Sequence, residues 1–182
     1  EYSSWNSKNV TVKVPMFGNG RGLRIVNELR KRNVKTNMTA LMSTNQVMLA
    51  AKAGATFASI FFNRVKDAGD DAEKVVRESR FLLDSMGAET RLIAGSIRRP
   101  EDVTQVAIAG AHVVTIPYKI LVQMPYHPKT EETIKEFDQA WLDFTKAQQS
   151  SEPPSRRRAP ATLSGHRDMC SPRQSRGNRH LS

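Results

Sequence analysis

A chain of 182 residues with 38% hydrophobic and 25% charged side chains has the size and composition of one soluble globular domain. No apolar run approaches the roughly 18 residues that a membrane-crossing helix needs, and the first residues, EYSSWNSKN, have neither the basic nor the apolar segment of a secretory signal, so a cytoplasmic protein is expected. The single cysteine, Cys170, excludes an internal disulfide and a multi-cysteine metal site, and the net charge of +10 is too unevenly spread to read as a nucleic-acid footprint.

The first element in the chain is also the most informative. In NVTVKVP, Asn9 to Pro15, Val10, Val12 and Val14 fall on one face at period two, while Thr11 and Lys13 fall on the other. In a buried parallel strand that second face is normally apolar too. A lysine placed there is predicted to be desolvated, with a depressed pKa that leaves the neutral amine available as a nucleophile toward carbonyls. The alternative is a lysine near a strand end that extends its ammonium into solvent.

After this strand comes MFGNGRG and then LRIVNELRKRN, whose Leu23, Ile25, Val26 and Leu29 make an apolar helical stripe. Gly18, Gly20 and Gly22 give G-x-G-x-G, where a dinucleotide fingerprint would need a further glycine at Leu23, so the stretch is read as a flexible strand-to-helix loop. VKTNMTA, Val34 to Ala40, is the second strand, followed by a helix that opens at Ser43 and stops at Gly54. TFASIFF, Thr56 to Phe62, is the third strand, then NRVKDAGDD reads as a polar loop and DAEKVVRESRFLLDSMG as a helix with Val75, Val76, Phe81, Leu82 and Met86 inward. Thr90 to Ala94 is a fourth strand. GSIRRPEDV follows as a loop whose Pro100 suits the first turn of a helix over TQVAIAGA, and His112 to Pro117 closes the series. The sequons at Asn9 and Asn37 lie in or beside strands and carry no glycosylation argument without a signal peptide.

Five strand starts alternating with helices predict an α/β fold with a parallel sheet. Polar residues recur at the strands' C-terminal ends: Lys13; Asn37 with Thr39; Ser59 with Asn63 and Arg64; Ser96 with Arg98. A β/α barrel builds its active site on that face, which favours a partial barrel over a doubly wound sheet. From Lys129 a further amphipathic helix carries Ile134, Phe137, Trp141 and Phe144 at helical spacing, suited to core packing or a subunit contact.

Two segments are expected, residues 1–147 as the barrel domain and 148–182 as a tail. The tail holds seven arginines, no lysine and four of the nine prolines, which predicts disorder. An arginine arm that binds RNA or another polyanion is one reading of it, a solvated tail another, and its composition is also what a shifted reading frame through GC-rich DNA tends to yield.

Taken together and in order, these residues resemble the transaldolase family, including the small transaldolases and fructose-6-phosphate aldolases, class I Schiff-base enzymes on a (β/α)8 TIM barrel. The match runs from Asn9 to about Ala147. Val12-Lys13-Val14-Pro15 is similar to the context of the family's Schiff-base lysine on the fourth strand, and Asn37-Met38-Thr39 to the N-x-T of the fifth. Ser59, Phe61 and Arg64 match S-x-F-x-x-R on the sixth strand, and Ser96 with Arg98 the S-x-R of the seventh.

The resemblance implies Lys13 as nucleophile and Thr39 as holder of the catalytic water. It implies Asn37, Ser59 and Phe61 around the ketose, and Arg64, Ser96 and Arg98 on a substrate phosphate. Phenylalanine rather than tyrosine at Phe61 favours transfer of a dihydroxyacetone unit over free aldol cleavage. Phosphorylated ketoses and aldoses are the implied substrates, in pentose phosphate metabolism, with no cofactor and no metal. A homo-oligomer with the Thr133 to Lys146 helix as a contact is expected, and neither a membrane nor a nucleic acid is expected as partner. The family's first three β/α units, with the acidic residues for proton transfer, have no counterpart in this sequence, so it reads as part of a longer protein. The competing reading is a catalytically incompetent barrel fragment or an interaction protein that uses its arginine-rich tail.

Overall fold

The computed structural model describes Asn6 and residues 8–151, so of the expected tail everything from residue 152 onward lies outside the described residues. Five strands form one parallel sheet in sequential order: β1 (Val12–Pro15), β2 (Thr36–Leu41), β3 (Phe57–Phe61), β4 (Arg91–Gly95) and β5 (Val113–Val114). A doubly wound sheet reverses its strand order at a switch point, whereas this order never reverses. The sheet is therefore the arc of a partial β/α barrel.

Helices α1 (Arg21–Lys31), α2 (Thr44–Ala53), α3 (Phe62–Asp67), α4 (Ala72–Ser85) and α5 (Pro100–Ile108) connect the strands, and a short α6 (Tyr118–Leu121) follows β5. They cover one face of the sheet. Val26, Val47, Val76, Leu83 and Val106 from the helices join Met38, Ile60 and Leu92 from the strands in a single buried cluster. The other strand face carries Lys13, Asn37, Phe57 and Arg91 as successive register partners. A barrel builds its active site where that inner face reaches the C-terminal ends of the strands.

The local signals behave as their chemistry dictates. The Ser43 hydroxyl accepts from the Gln46 N–H at the start of α2, and Gly54 ends that helix in the left-handed conformation at φ 88°. Pro100 opens α5.

Three expectations are corrected. The stretch from Phe62 is a short helix rather than a loop, because Phe62 and Val65, three residues apart, are both fully buried and anchor a turn on the core. On α4 the inward stripe is Ala72, Val76, Ser79 and Leu83; Phe81 is 73% exposed, five positions from Val76 and so on the opposite side of the helix. The last strand shrinks to Val113–Val114 and α6 follows directly on Pro117, which has no N–H to continue a ladder.

The described chain divides into two compact units, the second beginning at Pro128. It contains α7 (Pro128–Ser151), along which Ile134, Phe137, Trp141 and Phe144 are exposed, the last two rings 5.8 Å apart. No described helix is long and apolar enough to cross a membrane.

Candidate active site

Lys13 sits in β1 opposite the buried Val14, on the inner face, with Asn37 of β2 as its register partner. It is exposed, which corrects the expectation of a desolvated lysine. Among the described residues β1 pairs on one side only, with β2, so the second wall that would exclude water from the lysine is not supplied there.

The next two strands bring Asn37 and Ser59 together. The Ser59 hydroxyl, almost completely buried, donates to Asn37 Oδ1 at 2.7 Å. This holds the amide oxygen on Ser59 and leaves the amide nitrogen as the donor side of Asn37. Thr39, two residues beyond Asn37 and register partner of Pro15, is 6% exposed, and its Oγ1 is buried with no hydrogen-bond partner among the described residues. A buried hydroxyl ordinarily has a partner, and Thr36 Oγ1, at the other end of β2, is unpartnered in the same way, so the feature does not by itself single out Thr39. The backbone departs from regular strand geometry just here: Ala40 has φ 61° and the β2–β3 register shifts between Met38 and Leu41. Left-handed alanine costs about 1–3 kcal/mol, a strain that clusters at functional sites.

Phe61 ends β3, half buried, with the Arg64 guanidinium 5.1 Å from its ring centre. Arg64 projects from α3. Ser96 follows β4 in a left-handed conformation, φ 61°, and Arg98 makes a bidentate pair with Asp67 at the end of α3, at 2.8 and 2.5 Å. The Arg98 hydrogen bond holds the Asp67 carboxyl below its ordinary range, with the charge of Arg98 and then that of Arg64 reinforcing the effect against partial desolvation. Of the two arginines expected on a phosphate, Arg98 is thus paired with the Asp67 carboxylate, while Arg64 lies over the Phe61 ring and forms no ion pair with that carboxylate.

Beneath them lies a polar node that sequence reasoning did not single out. Asp102, fully buried on α5, accepts through Oδ2 from Asn63 Nδ2 at 2.6 Å and from the backbone N–H groups of Arg98 and Arg99, each at 3.0 Å. Lys66 Nζ reaches Oδ1 at 3.4 Å and Gln105 Oε1 at 2.9 Å. Burial alone would raise the Asp102 pKa, but the hydrogen bonds from Asn63, Arg98 and Arg99, with the Lys66 charge, outweigh it and hold the carboxyl below its ordinary value. The available signal was an acidic residue in the first turn after Pro100, a capping position.

A groove of about 640 Å³, lined among others by Arg30, Lys35, Thr56 and Glu89, lies at the opposite, N-terminal ends of the strands and holds none of these residues. Among the described residues no three His, Cys, Asp or Glu side chains cluster as a metal site would.

The family model for transaldolase and fructose-6-phosphate aldolase matches residues 2–155. The chain belongs to that family. It is 43% identical over 139 residues to a protein named probable transaldolase 2 from Bacillus cereus, covering 76% of this chain and 62% of that one. It is 42% identical over 138 residues to a probable transaldolase from Alkaliphilus metalliredigens, covering 76% and 64% respectively. For one from Carboxydothermus hydrogenoformans the identity is 44% over 133 residues, covering 73% and 61%. The chain therefore spans a little over three-fifths of the length of the curated relatives it matches. Membership in the transaldolase family accounts for the sequential parallel strand order.

Proposed function

We propose that the protein is a transaldolase-type transferase that moves a dihydroxyacetone unit between sugar phosphates through a Schiff base on Lys13. The observation that carries the reading is the inner-face row itself: a lysine whose register partner Asn37 is fixed by Ser59, with the orphaned Thr39 hydroxyl one step along the strand. In this reading the Lys13 amine adds to the ketose carbonyl and water leaves, giving an iminium. The carbon–carbon bond adjacent to the ketone-derived unit then breaks, a base takes the proton of the departing aldose's hydroxyl, and the bonding pair moves to the iminium, which becomes an enamine. The enamine attacks the aldehyde carbon of an acceptor aldose phosphate, whose oxygen takes up a proton. Water held by Thr39 then releases the new ketose and the free amine.

Asn37, oriented by Ser59, donates to a hydroxyl of the bound three-carbon unit. Arg64 and Arg98 receive the phosphate, which displaces the Asp67 carboxylate from the rim; an ion pair this exposed contributes little that a phosphate could not replace. Phe61 places no hydroxyl near the enamine, which favours transfer to an acceptor over protonation and release. The exposed stripe on α7 is read as a contact between subunits.

The test is consumption of fructose 6-phosphate by the full chain with and without an acceptor aldose phosphate. Acceptor-dependent consumption that is lost in Lys13→Met is expected, at a rate about 10²- to 10⁴-fold below that of a chain that also carries the acidic proton-transfer residues. Consumption with no need of an acceptor would replace transfer by aldol cleavage, and consumption unaffected by Lys13→Met would overturn the reading.

A further inference from the structure

Asp102 touches no residue of the inner-face row, yet it is the most densely hydrogen-bonded side chain near it. Its carboxylate takes the backbone N–H groups of Arg98 and Arg99 and the side chain of Asn63, and Asn63 Nδ2 in turn also donates to the Ser96 carbonyl at 2.8 Å. The segment from Ser96 to Arg99 is thereby held at three of its four residues. Its anchors, Asn63 and Lys66, lie on α3, the helix that also carries Arg64 and Asp67.

One buried carboxylate therefore sets the position of the segment bearing Ser96 and Arg98 relative to the helix bearing Arg64. The left-handed Ser96, at φ 61°, needs such external restraint, because an isolated serine does not favour that conformation. A cap for α5 alone would require only the Arg99 N–H. The additional bonds to Arg98 and, through Asn63, to Ser96 go beyond what capping uses.

We propose that Asp102 is a positioning residue for phosphate recognition: it locks the Ser96–Arg99 segment onto α3 and so fixes the spacing between the Arg98 and Arg64 guanidinium groups. The proposal rests on the transaldolase-type reading for the identity of the ligand, a phosphorylated ketose. It predicts an effect confined to the phosphate end. Unphosphorylated dihydroxyacetone, which engages Lys13, Asn37 and Ser59 alone, should not sense Asp102.

The experiment measures borohydride-trapped adduct at Lys13 with fructose 6-phosphate and with dihydroxyacetone, and separately the affinity for inorganic phosphate. It compares the full chain with Asp102→Ala, Asp102→Asn and Val106→Ala. Val106, fully buried on the same helix, is the control for loss of stability alone. In Asp102→Ala the labelling by fructose 6-phosphate should fall about 10- to 100-fold while that by dihydroxyacetone stays within about twofold, since a misplaced positioning group costs up to that much. Asp102→Asn should fall between, because an amide oxygen at the Oδ2 position still accepts from Asn63 and the two backbone N–H groups while its nitrogen, at the Oδ1 position, opposes the Lys66 ammonium; it also carries the test if the alanine variant does not fold. Phosphate affinity should drop in both. Val106→Ala should lower the melting temperature without changing the ratio between the two ketones. An unchanged ratio and unchanged phosphate affinity in the Asp102 variants, or a parallel fall for both ketones as in Val106→Ala, would overturn the proposal. Absence of any labelling at Lys13 in the unmutated chain would overturn the transaldolase-type reading instead, and the phosphate measurement would still decide the role of Asp102.

Discussion

Gly22→Ala opposes two effects of known size at the contact that seats α1 on β1. A β-carbon at position 22 would lie 2.3 Å from the Pro15 carbonyl oxygen, with Met38 Cε 3.6 Å away on the other side. To reach even the closest tolerated contact, the helix and the end of the strand would have to part by about 0.7 Å in a core with no spare volume. Overpacking of this kind costs about 1–3 kcal/mol, and the obstacle is backbone, so no side-chain rotation can relieve it. Against it stands the gain in helix propensity from glycine to alanine, up to about 1 kcal/mol in a helix interior and smaller at a second helical position. The steric term wins, and a net loss of about 1–2 kcal/mol is expected. With a urea dependence of about 2 kcal/mol per molar, the middle of the range for small proteins, that is a fall in the unfolding midpoint of roughly 0.5–1 M. Gly18→Ala is the control. A β-carbon there meets nothing within 4 Å, so its midpoint should stay within the equivalent of about 0.5 kcal/mol. A Gly22→Ala variant as stable as Gly18→Ala, or more stable than the unmutated chain, would refute the close seating of α1 on the strand that carries Lys13.

Leu83→Ala should destabilise by about 2–5 kcal/mol in urea unfolding, whereas Phe81→Ala, at a position 73% exposed, should change stability by no more than about 0.5 kcal/mol; the reverse order would refute the helical phase described for α4. His112 accepts the Leu92 N–H through Nδ1 at 3.0 Å, and burial, followed by the charges of Arg80 and Arg91, lowers its pKa from 6.5. The unfolded chain then binds the proton more readily than the folded one, so the stability His112 contributes is complete above pH 6.5 and is lost as the pH falls through the lower folded value. Urea midpoints should decline over that window in the unmutated chain and decline less in His112→Asn; equal slopes would contradict the imidazole's role as acceptor.

How much of this was legible beforehand depended on how local each signal was. Ser43, Gly54 and Pro100 act on their own helix ends, and the structure has them capping or opening the helices where the sequence indicated. The alternation of Val10, Val12 and Val14 around Lys13 likewise put the lysine on the face opposite Val14. What spacing could not supply was the surroundings. Desolvation of Lys13 depends on what lies on the far side of β1, and in the described residues that side has no strand. Phe81 and Leu83 are both apolar, and only the packing of α4 against its neighbours selects between them. Asp102 and Asn63 meet across 39 positions of sequence, so their pairing belongs to the tertiary fold and has no periodicity of its own.

A Schiff-base lysine is chemically distinct from every other lysine of the chain, and reductive trapping reads that difference at Lys13. Lys13 and Lys31 are both exposed, so accessibility alone would let either react. The full chain is incubated with fructose 6-phosphate and borohydride, digested, and the adduct mapped by mass spectrometry. A single dominant adduct is expected on the peptide containing Lys13, absent in Lys13→Met, a replacement of similar length that keeps the fold. Label spread evenly over Lys13, Lys31 and Lys129, or undiminished in Lys13→Met, would contradict a Schiff base on Lys13.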